Sequence, residues 1–257
     1  MISPVRSLIV RADDAGSAPS ANRAILAALR AGSVTAVGFM APGRAFGDAV
    51  ALLRDALDGI DVGVHATLNS EWDGARWGPL IGSQRVPSLV RLDGSFLPHP
   101  EATERTMVLV EAAEEIHAQI TAVRAAGLRP SYLDAHMGFD RLPGLGEALT
   151  EIAAETGLRL VAQQPAALPV GCDFRDGSPE ALWLEAARAM PPGVRQLIVH
   201  PGADAADMRD FWNATVGPGE VASARAAETA VLCGSSFRAG LRKAGVALVR
   251  FSDLPGV

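Results

Sequence analysis

The chain has 257 residues, enough to bury a full hydrophobic core in one large domain or two small ones. Its formal net charge is −6, from 29 acidic and 23 basic residues, which excludes a broad electrostatic surface for nucleic acid. Hydrophobic residues make up 49%, but no apolar run approaches the roughly 20 residues of a membrane helix. Because the N-terminal residues also lack a signal-peptide pattern, we expect a cytoplasmic protein with neither membrane nor nucleic-acid partners.

Apolar, β-branched segments alternate with longer helical patterns along the chain. The predicted strands are 5–12, 34–40, 61–68, 131–136, 158–162, 194–200 and 246–251. The predicted helices, with apolar residues at i, i+3 and i+4, are 19–31, 44–57, 103–127, 142–156, 178–190 and 220–243. This alternation predicts an α/β fold with a parallel sheet. We expect one domain over 1–257, a βα barrel of about seven strands, with an open doubly wound sheet as the competing topology.

Residues 69–102 form a long connection that does not fit the alternation of strands and helices. The segment contains Trp72 and Trp77, several glycines and prolines, and little periodicity. Structureless connections of this length are uncommon unless they serve function. We therefore interpret the segment as an active-site loop insertion, in which the tryptophans either stack on sugar rings or fix the loop to the barrel rim.

Acidic and histidine side chains lie at or near the carboxyl ends of four predicted strands. They are Asp13, Asp14, His65, Asp134, His136 and His200. Because the carboxyl ends of parallel strands share one edge of a sheet or barrel, these side chains are expected to form a single site. The other two histidines, His99 and His117, are expected to lie in a loop and on a solvated helix face.

Two imidazoles and a carboxylate are typical ligands of an open, catalytic divalent metal site. A second carboxylate beside such a site can take a proton from water, and a further histidine can protonate the leaving group. The adjacent Asp13 and Asp14 would point to opposite faces of a regular strand, so both serve one site only if the chain turns at Asp14. Asp134, two residues before His136, is expected either to fix the tautomer of an imidazole or to cap a loop.

Four motifs of the chain are LIVRADDAG, DVGVHATLNSEW with the following RWGPL, PSYLDAHMG and LIVHPG. In type, order and spacing they resemble the YdjC-type carbohydrate deacetylases, also called the chitooligosaccharide deacetylase family, from residue 7 to about residue 250. The resemblance implies a distorted TIM-like barrel. It also implies a metal-dependent hydrolase that removes an acetyl group from an N-acetylated sugar or chitooligosaccharide.

The resemblance assigns roles to individual residues of this chain. Asp14, His65 and His136 would hold one divalent metal ion, with Zn²⁺ as the expected ion and Mg²⁺ as the alternative. Asp13 would be the general base, and His200 would be the general acid that protonates the departing amine.

Arg225, followed three residues on by Glu228, fits a further family pattern. Arg225 would orient Asp13, or the two residues would form an exposed i,i+3 pair on a helix. The chain departs from the family pattern at Ala15, where many members have an aromatic residue or leucine. It departs again at 137–140, where the diacetylchitobiose-type members have further histidines, so the identity of the N-acetyl substrate stays open.

Two other classes of protein remain open at this point. One is another metal-dependent barrel enzyme, either a sugar isomerase, which would use more carboxylates, or a phosphoesterase, which calls for clustered cations although Lys243 is the only lysine. The other is a sugar-binding barrel without catalysis. The sequence leaves the oligomeric state open; a homodimer is one alternative, and the apolar helix 220–241 is then a candidate subunit interface.

Overall fold

A computed structural model describes residues 6–161, 165–168 and 179–255. In these ranges seven strands form one sheet in which every pairing is parallel. The strands are β1 Arg6–Ala15, β2 Ala36–Phe39, β3 Asp61–Ala66, β4 Tyr132–Ala135, β5 Arg159–Leu160, β6 Gly193–Val199 and β7 Val246–Leu248. Their order is β5-β4-β3-β2-β1-β6, and β7 also pairs with β1. The predicted α/β fold with about seven parallel strands is confirmed.

Helices follow most of the strands, as βα units require. They are α1 Pro19–Arg30, α2 Phe46–Leu53, α3 Pro100–Glu104, α4 Leu109–Ala125, α5 Leu145–Thr156, α6 Pro179–Ala189, α7 Ala206–Arg209, α8 Glu220–Cys233 and α9 Ser235–Lys243. No helix in the described ranges combines the length and the apolar character that crossing a bilayer requires.

Two of the predicted helices, 103–127 and 220–243, are wrong as continuous helices, because each is divided into two helices in the structure. Gly234 has extended backbone angles and separates α8 from α9 within the predicted 220–243. Within 103–127, the turn between α3 and α4 is held by Ser88, whose Oγ accepts the Val108 N–H at 3.0 Å and whose carbonyl accepts the Thr106 hydroxyl at 2.7 Å. Tertiary contacts of this kind override a continuous helical pattern.

The sheet has one apolar face against the helices and a second face that is apolar only in part. Successive strand residues alternate between faces, so Ile9, Arg11 and Asp13 of β1 share one face. Ile9 packs in a small apolar cluster with Tyr132 of β4, whereas Arg11 and Asp13 lie among polar groups that include Asp134. This face of the sheet is therefore apolar toward the amino ends of the strands and charged toward their carboxyl ends.

Glycines in β2 and β3 make room on this face. A Cβ at Gly63 would overlap the ring of Tyr132, and a Cβ at Gly38 would lie 2.7 Å from Asp13 Oδ1. The fully buried tyrosine and the aspartate therefore depend on glycine in the neighbouring strands.

The two edges of the sheet approach each other through Gln196 of β6. Its Nε2 donates to the carbonyl of Val161, directly after β5, at 3.4 Å and to that of Pro165 at 2.8 Å. Ala167 also forms a parallel bridge with Gln196. Residues 165–168 thus lie against β6, although no ladder joins β5 to β6 among the described residues.

The long segment 69–102 carries little regular structure but is firmly packed. It contains a short 3-10 helix, Pro87–Leu89, and an antiparallel bridge between Val90 and Phe96. Glu115 of α4 is fully buried and accepts the N–H groups of Leu80 and Ile81 at 3.1 and 3.2 Å. This contact fastens the middle of the segment to the body of the fold.

Candidate metal centre

Asp13 and Asp14 reach one site because β1 is irregular at its carboxyl end. The register with β2 shifts between Ala12 and Ala15, and Asp14 has a φ of 66°. This left-handed conformation is uncommon for residues other than glycine and often marks functional sites. The predicted turn at Asp14 is confirmed.

Three potential ligand atoms converge at the carboxyl edge of β1, β3 and β4. Asp14 Oδ1 lies 3.5 Å from both His65 Nε2 and His136 Nδ1, and these two nitrogens are 3.1 Å apart. All three residues are buried. Ligand atoms about 2.0–2.2 Å from a shared ion lie roughly 3–3.5 Å from one another, so the spacing fits one divalent cation.

The two oxygens of the Asp14 carboxylate have different surroundings. Oδ2 accepts a hydrogen bond from Arg225 Nη2 at 2.7 Å, whereas Oδ1 is buried without a hydrogen-bond donor among the described residues. A buried carboxylate oxygen without a partner is costly, and a cation in front of Oδ1 would provide one. Two nitrogens and one carboxylate oxygen form a donor set that suits Zn²⁺ well.

Each imidazole has a carboxylate at the nitrogen that faces away from Asp14. His65 Nδ1 lies 2.9 Å from Asp134 Oδ2, and His136 Nε2 lies 3.1 Å from Glu71 Oε2. Asp134 therefore holds His65 rather than His136, its neighbour two residues along the chain. Glu71 is not among the predicted site residues, although it is the glutamate of SEW in the DVGVHATLNSEW motif.

Arg11 is the cation that contacts Asp13. Its guanidinium is buried and donates to Asp13 Oδ2 from Nη2 at 2.7 Å and from Nε at 3.1 Å. The same Nη2 lies 2.9 Å from Asp134 Oδ2, and Nη1 donates to Gln196 at 3.2 Å. Arg11 thereby joins the proposed base to the carboxylate that holds His65.

The expectations for Arg225 are corrected by these contacts. Arg225 pairs with Asp14 and not with Asp13, and its guanidinium lies over the ring of Phe211 at 5.3 Å. An exposed helix pair is also wrong, because Arg225 and Glu228 are both buried. Glu228 instead accepts the backbone N–H of His200 at 2.6 Å.

A second group of potential ligands, Asp13, His65 and Asp134, is less suited to a metal ion. Oδ2 of both aspartates already lies against the Arg11 guanidinium, at 2.7 and 2.9 Å. A divalent cation placed there would face this fixed positive charge. The group with Asp14, His65 and His136 is therefore the better metal centre.

The charges around the two imidazoles do not balance by themselves. The buried carboxyl groups in and beside the cluster are those of Asp13, Asp14, Asp134, Glu71 and Glu228, and the buried guanidiniums are those of Arg11 and Arg225. With neutral imidazoles, the carboxyl groups of the cluster outnumber its two guanidiniums. Protons on the histidines or a divalent cation can supply further positive charge.

The pKa values show the same demand for positive charge. Burial opposes protonation of His65, but Asp134 and Asp13 raise its pKa well above the usual value. Burial likewise opposes protonation of His136, but Glu71 and Asp14 raise its pKa to about 9. Burial also disfavours the carboxylate form of Asp14, yet Arg225 and the imidazoles hold its pKa well below the usual range.

His200 faces the same cluster from the end of β6. Burial, with a smaller contribution from the positive charge of Arg225 and of protonated His65 and His136, lowers its pKa to about 3 against the opposing effect of Asp14. His200 is therefore a neutral imidazole near pH 7. The ligand group thus comes from the ends of β1, β3 and β4, and β6, which ends just before His200, pairs with β1 beside them.

The two tryptophans of the long segment pack against the wall of the site. Trp77 is buried, donates from Nε1 to the carbonyl of Asn69 at 2.6 Å, and meets His136 edge-on with ring centroids 6.1 Å apart. Trp72 is partly buried and stacks on Phe211 at 5.9 Å. These contacts favour the interpretation in which the tryptophans fix the loop.

The start of the long segment interlocks with the loop before α8. The Asp73 N–H donates to the carbonyl of Trp212 at 2.7 Å, and Asn213 Nδ2 donates to the carbonyl of Glu71 at 3.1 Å. A Cβ at Gly74 would overlap the indole of Trp212. The two loops therefore form one continuous wall beside the metal centre.

The remaining histidines lie elsewhere, as expected. His99 is exposed directly before α3, and His117 lies on the outer side of α4, 3.5 Å from Glu155. Neither contributes to the site.

Comparisons with known proteins agree with this architecture. The family described as YdjC-like protein matches residues 7–243, and the chain belongs to this family. It is 32% identical over 195 residues to a carbohydrate deacetylase of Mus musculus, covering 74% of this chain. It is 28% identical over 265 residues to a chitooligosaccharide deacetylase of Enterobacter sp. strain 638, covering 96% of this chain and 98% of that protein.

A solved structure confirms the fold. A protein of Enterococcus faecalis V583 superposes with a TM-score of 0.81 at 22% identity, covering 98% of this chain and all of that chain. The chain spans only 58% of the length of the mouse and human carbohydrate deacetylases that it matches.

Proposed function

We propose that this chain is a metal-dependent hydrolase that removes the acetyl group of an N-acetylated sugar or chitooligosaccharide. The observation that carries the proposal is the convergence of Asp14 Oδ1, His65 Nε2 and His136 Nδ1 within 3.5 Å of one another. The proposal is supported by the relatives, which are named carbohydrate deacetylase and chitooligosaccharide deacetylase.

Asp14, His65 and His136 would hold the cation, with Zn²⁺ first and Mg²⁺ second. Such an ion supplies a Lewis acid for the acetyl carbonyl and lowers the pKa of water beside it. The unpartnered Oδ1 of Asp14 and the excess of buried carboxyl groups over guanidiniums both support a divalent ion.

Asp13 would take the proton from the attacking water. Arg11 fixes its Oδ2 with two hydrogen bonds, while Oδ1 has no donor among the described residues and can accept a proton. Burial also raises the pKa of Asp13, which brings this carboxylate closer to the proton affinity that a general base needs near neutral pH.

His200 would pass the proton to the nitrogen of the departing amine. Because its imidazole is neutral near pH 7, it would receive this proton during the reaction and hold it only briefly. The hydrogen bond from its backbone N–H to Glu228 fixes the main chain at this point. The net reaction consumes one water and yields acetate and a free amine.

The test is acetate release from a panel of N-acetylglucosamine monomers to oligomers, with metal-loaded and chelator-treated protein. We expect release that the chelator abolishes and that the added metal restores. The dependence on chain length would then rank monomer, dimer and longer substrates.

Other outcomes point to the competing classes. Release that survives complete removal of metal would contradict the proposal. Stoichiometric metal without release from any N-acetyl substrate would favour an isomerase or phosphoesterase, and sugar binding without metal would favour a binding barrel.

A further inference from the structure

We infer that Glu71 is a positioning residue of the metal centre. Its carboxylate holds the imidazole of His136 so that Nδ1 faces the metal. The inference rests on the proposed function, because it deepens the same site. Its basis is the 3.1 Å contact between Glu71 Oε2 and His136 Nε2, with both side chains buried.

The geometry gives His136 only one useful tautomer. Nδ1 faces Asp14 and His65, so a metal there needs the lone pair of Nδ1. The proton must then sit on Nε2, where the Glu71 carboxylate accepts it. A carboxylate in this position orients the ring and makes the coordinating nitrogen more basic.

The arrangement is the counterpart of the one at the other imidazole. His65 presents Nε2 to the site and Nδ1 to Asp134, at 2.9 Å. Asp134 comes from the sheet and is held by Arg11, whereas Glu71 comes from the long segment. The loop insertion therefore contributes directly to the metal centre.

The backbone that carries Glu71 is fixed at three consecutive carbonyl groups. The carbonyl of Asn69 accepts from Trp77 Nε1 at 2.6 Å, that of Ser70 from Arg91 Nη2 at 3.1 Å, and that of Glu71 itself from Asn213 Nδ2 at 3.1 Å. Side chains presented from such an anchored segment keep their geometry without loss of entropy on metal binding. A glutamate that served only as a surface charge would need no such support.

The test measures Zn²⁺ affinity of the full-length chain by competition with a chromogenic chelator. The variants are Glu71→Ala and Glu71→Gln, and the matched control is Glu101→Gln, which removes an exposed carboxylate from α3. We expect Glu71→Ala to raise the Kd for Zn²⁺ by about 10- to 100-fold. Glu71→Gln should raise it less, because the amide oxygen can still accept the Nε2 proton.

A second readout separates positioning from a loss of folding. In the zinc-loaded protein with ¹⁵N-labelled histidine, the Nε2–H resonance of His136 should be sharp in the wild type and broadened by exchange in Glu71→Ala. Thermal melts identify any variant that does not fold. If Glu71→Ala fails to fold, the test rests on Glu71→Gln. A Kd of Glu71→Gln for Zn²⁺ more than twofold above that of the Glu101→Gln control then supports the inference.

Kd values within twofold of the Glu101→Gln control, in every folded Glu71 variant, would overturn the inference. Its failure is distinguishable from failure of the proposed function. If the wild type binds Zn²⁺ and releases acetate while the Glu71 variants keep the wild-type Kd, only the role of Glu71 falls. If the wild type itself binds no divalent ion, the metal centre falls and the inference with it.

Discussion

Glu228 is a buried carboxyl group whose replacement by glutamine tests the electrostatics beneath His200. Only 2% of the residue is exposed, and its Oε2 accepts the His200 N–H at 2.6 Å. Burial raises its pKa from 4.5 to about 7, against the opposing effects of that hydrogen bond and of Arg225. Glu228→Gln removes the titration and keeps an oxygen that can accept the same hydrogen bond.

The sign of the effect follows from the two pKa values. Because the folded pKa is the higher one, the folded chain binds the proton more tightly than the unfolded chain does. The stability that this gives is complete below pH 4.5 and is lost as the pH rises through about 7. The difference between these pKa values corresponds to about 3 kcal/mol.

The assay is urea denaturation of metal-free wild type and Glu228→Gln between pH 4 and pH 8. We expect the free energy of unfolding of the variant, relative to the wild type, to rise by about 3 kcal/mol over this range. Contributions from groups shared by both proteins cancel in the difference. Glu220→Gln, which removes an exposed carboxyl from the same helix, is the control. A difference that does not vary with pH would refute the assignment of a raised pKa to Glu228.

Three further substitutions test the site. His136→Ala should abolish both Zn²⁺ retention and acetate release, measured by metal analysis after gel filtration and by acetate assay; full activity without added metal would contradict the ligand assignment. His200→Ala should keep the wild-type Kd for Zn²⁺ but lower kcat by about 10²–10⁴-fold; normal turnover would remove His200 from the mechanism. Arg225→Met should lower the free energy of unfolding of metal-free protein by about 3–5 kcal/mol, because it leaves the buried Oδ2 of Asp14 without its guanidinium partner; an unchanged urea midpoint would show that this ion pair contributes nothing.

The fold and the edge of the sheet that carries the site could be predicted because they depend on local patterns, whereas the choice of the three ligands among the residues at that edge came from the resemblance to the family. Strand and helix periodicity located every strand of the described sheet, and parallel pairing then placed Asp14, His65 and His136 at one edge. The turn at Asp14 could also be expected, since two adjacent aspartates reach one site only if the strand ends irregularly.

The partners of these ligands could not be predicted, because they depend on distances across the sheet. Arg11 reads as a residue of an apolar strand, and only the alternation of side chains together with the register of β4 brings it to Asp134. Glu71 lies in a segment without periodicity, where sequence gives no register at all. The prediction that Arg225 orients Asp13 is wrong because the sequence does not show which way each of the two adjacent aspartates points. That direction is set by the irregular register at the end of β1, which turns Asp14 toward Arg225.

The interlocked loops beside the site have a consequence for protein engineering. Gly74 lies under the Trp212 indole, and Asn213 holds the carbonyl of Glu71, so each loop completes the other. If residues 69–102 alone were exchanged for the loop of a relative, the new loop would no longer match Trp212 and Asn213. Substrate selectivity should therefore be transferred by exchanging both loops together. Chimeras that carry both loops of the donor should keep the donor's selectivity, and chimeras that carry only one should lose it.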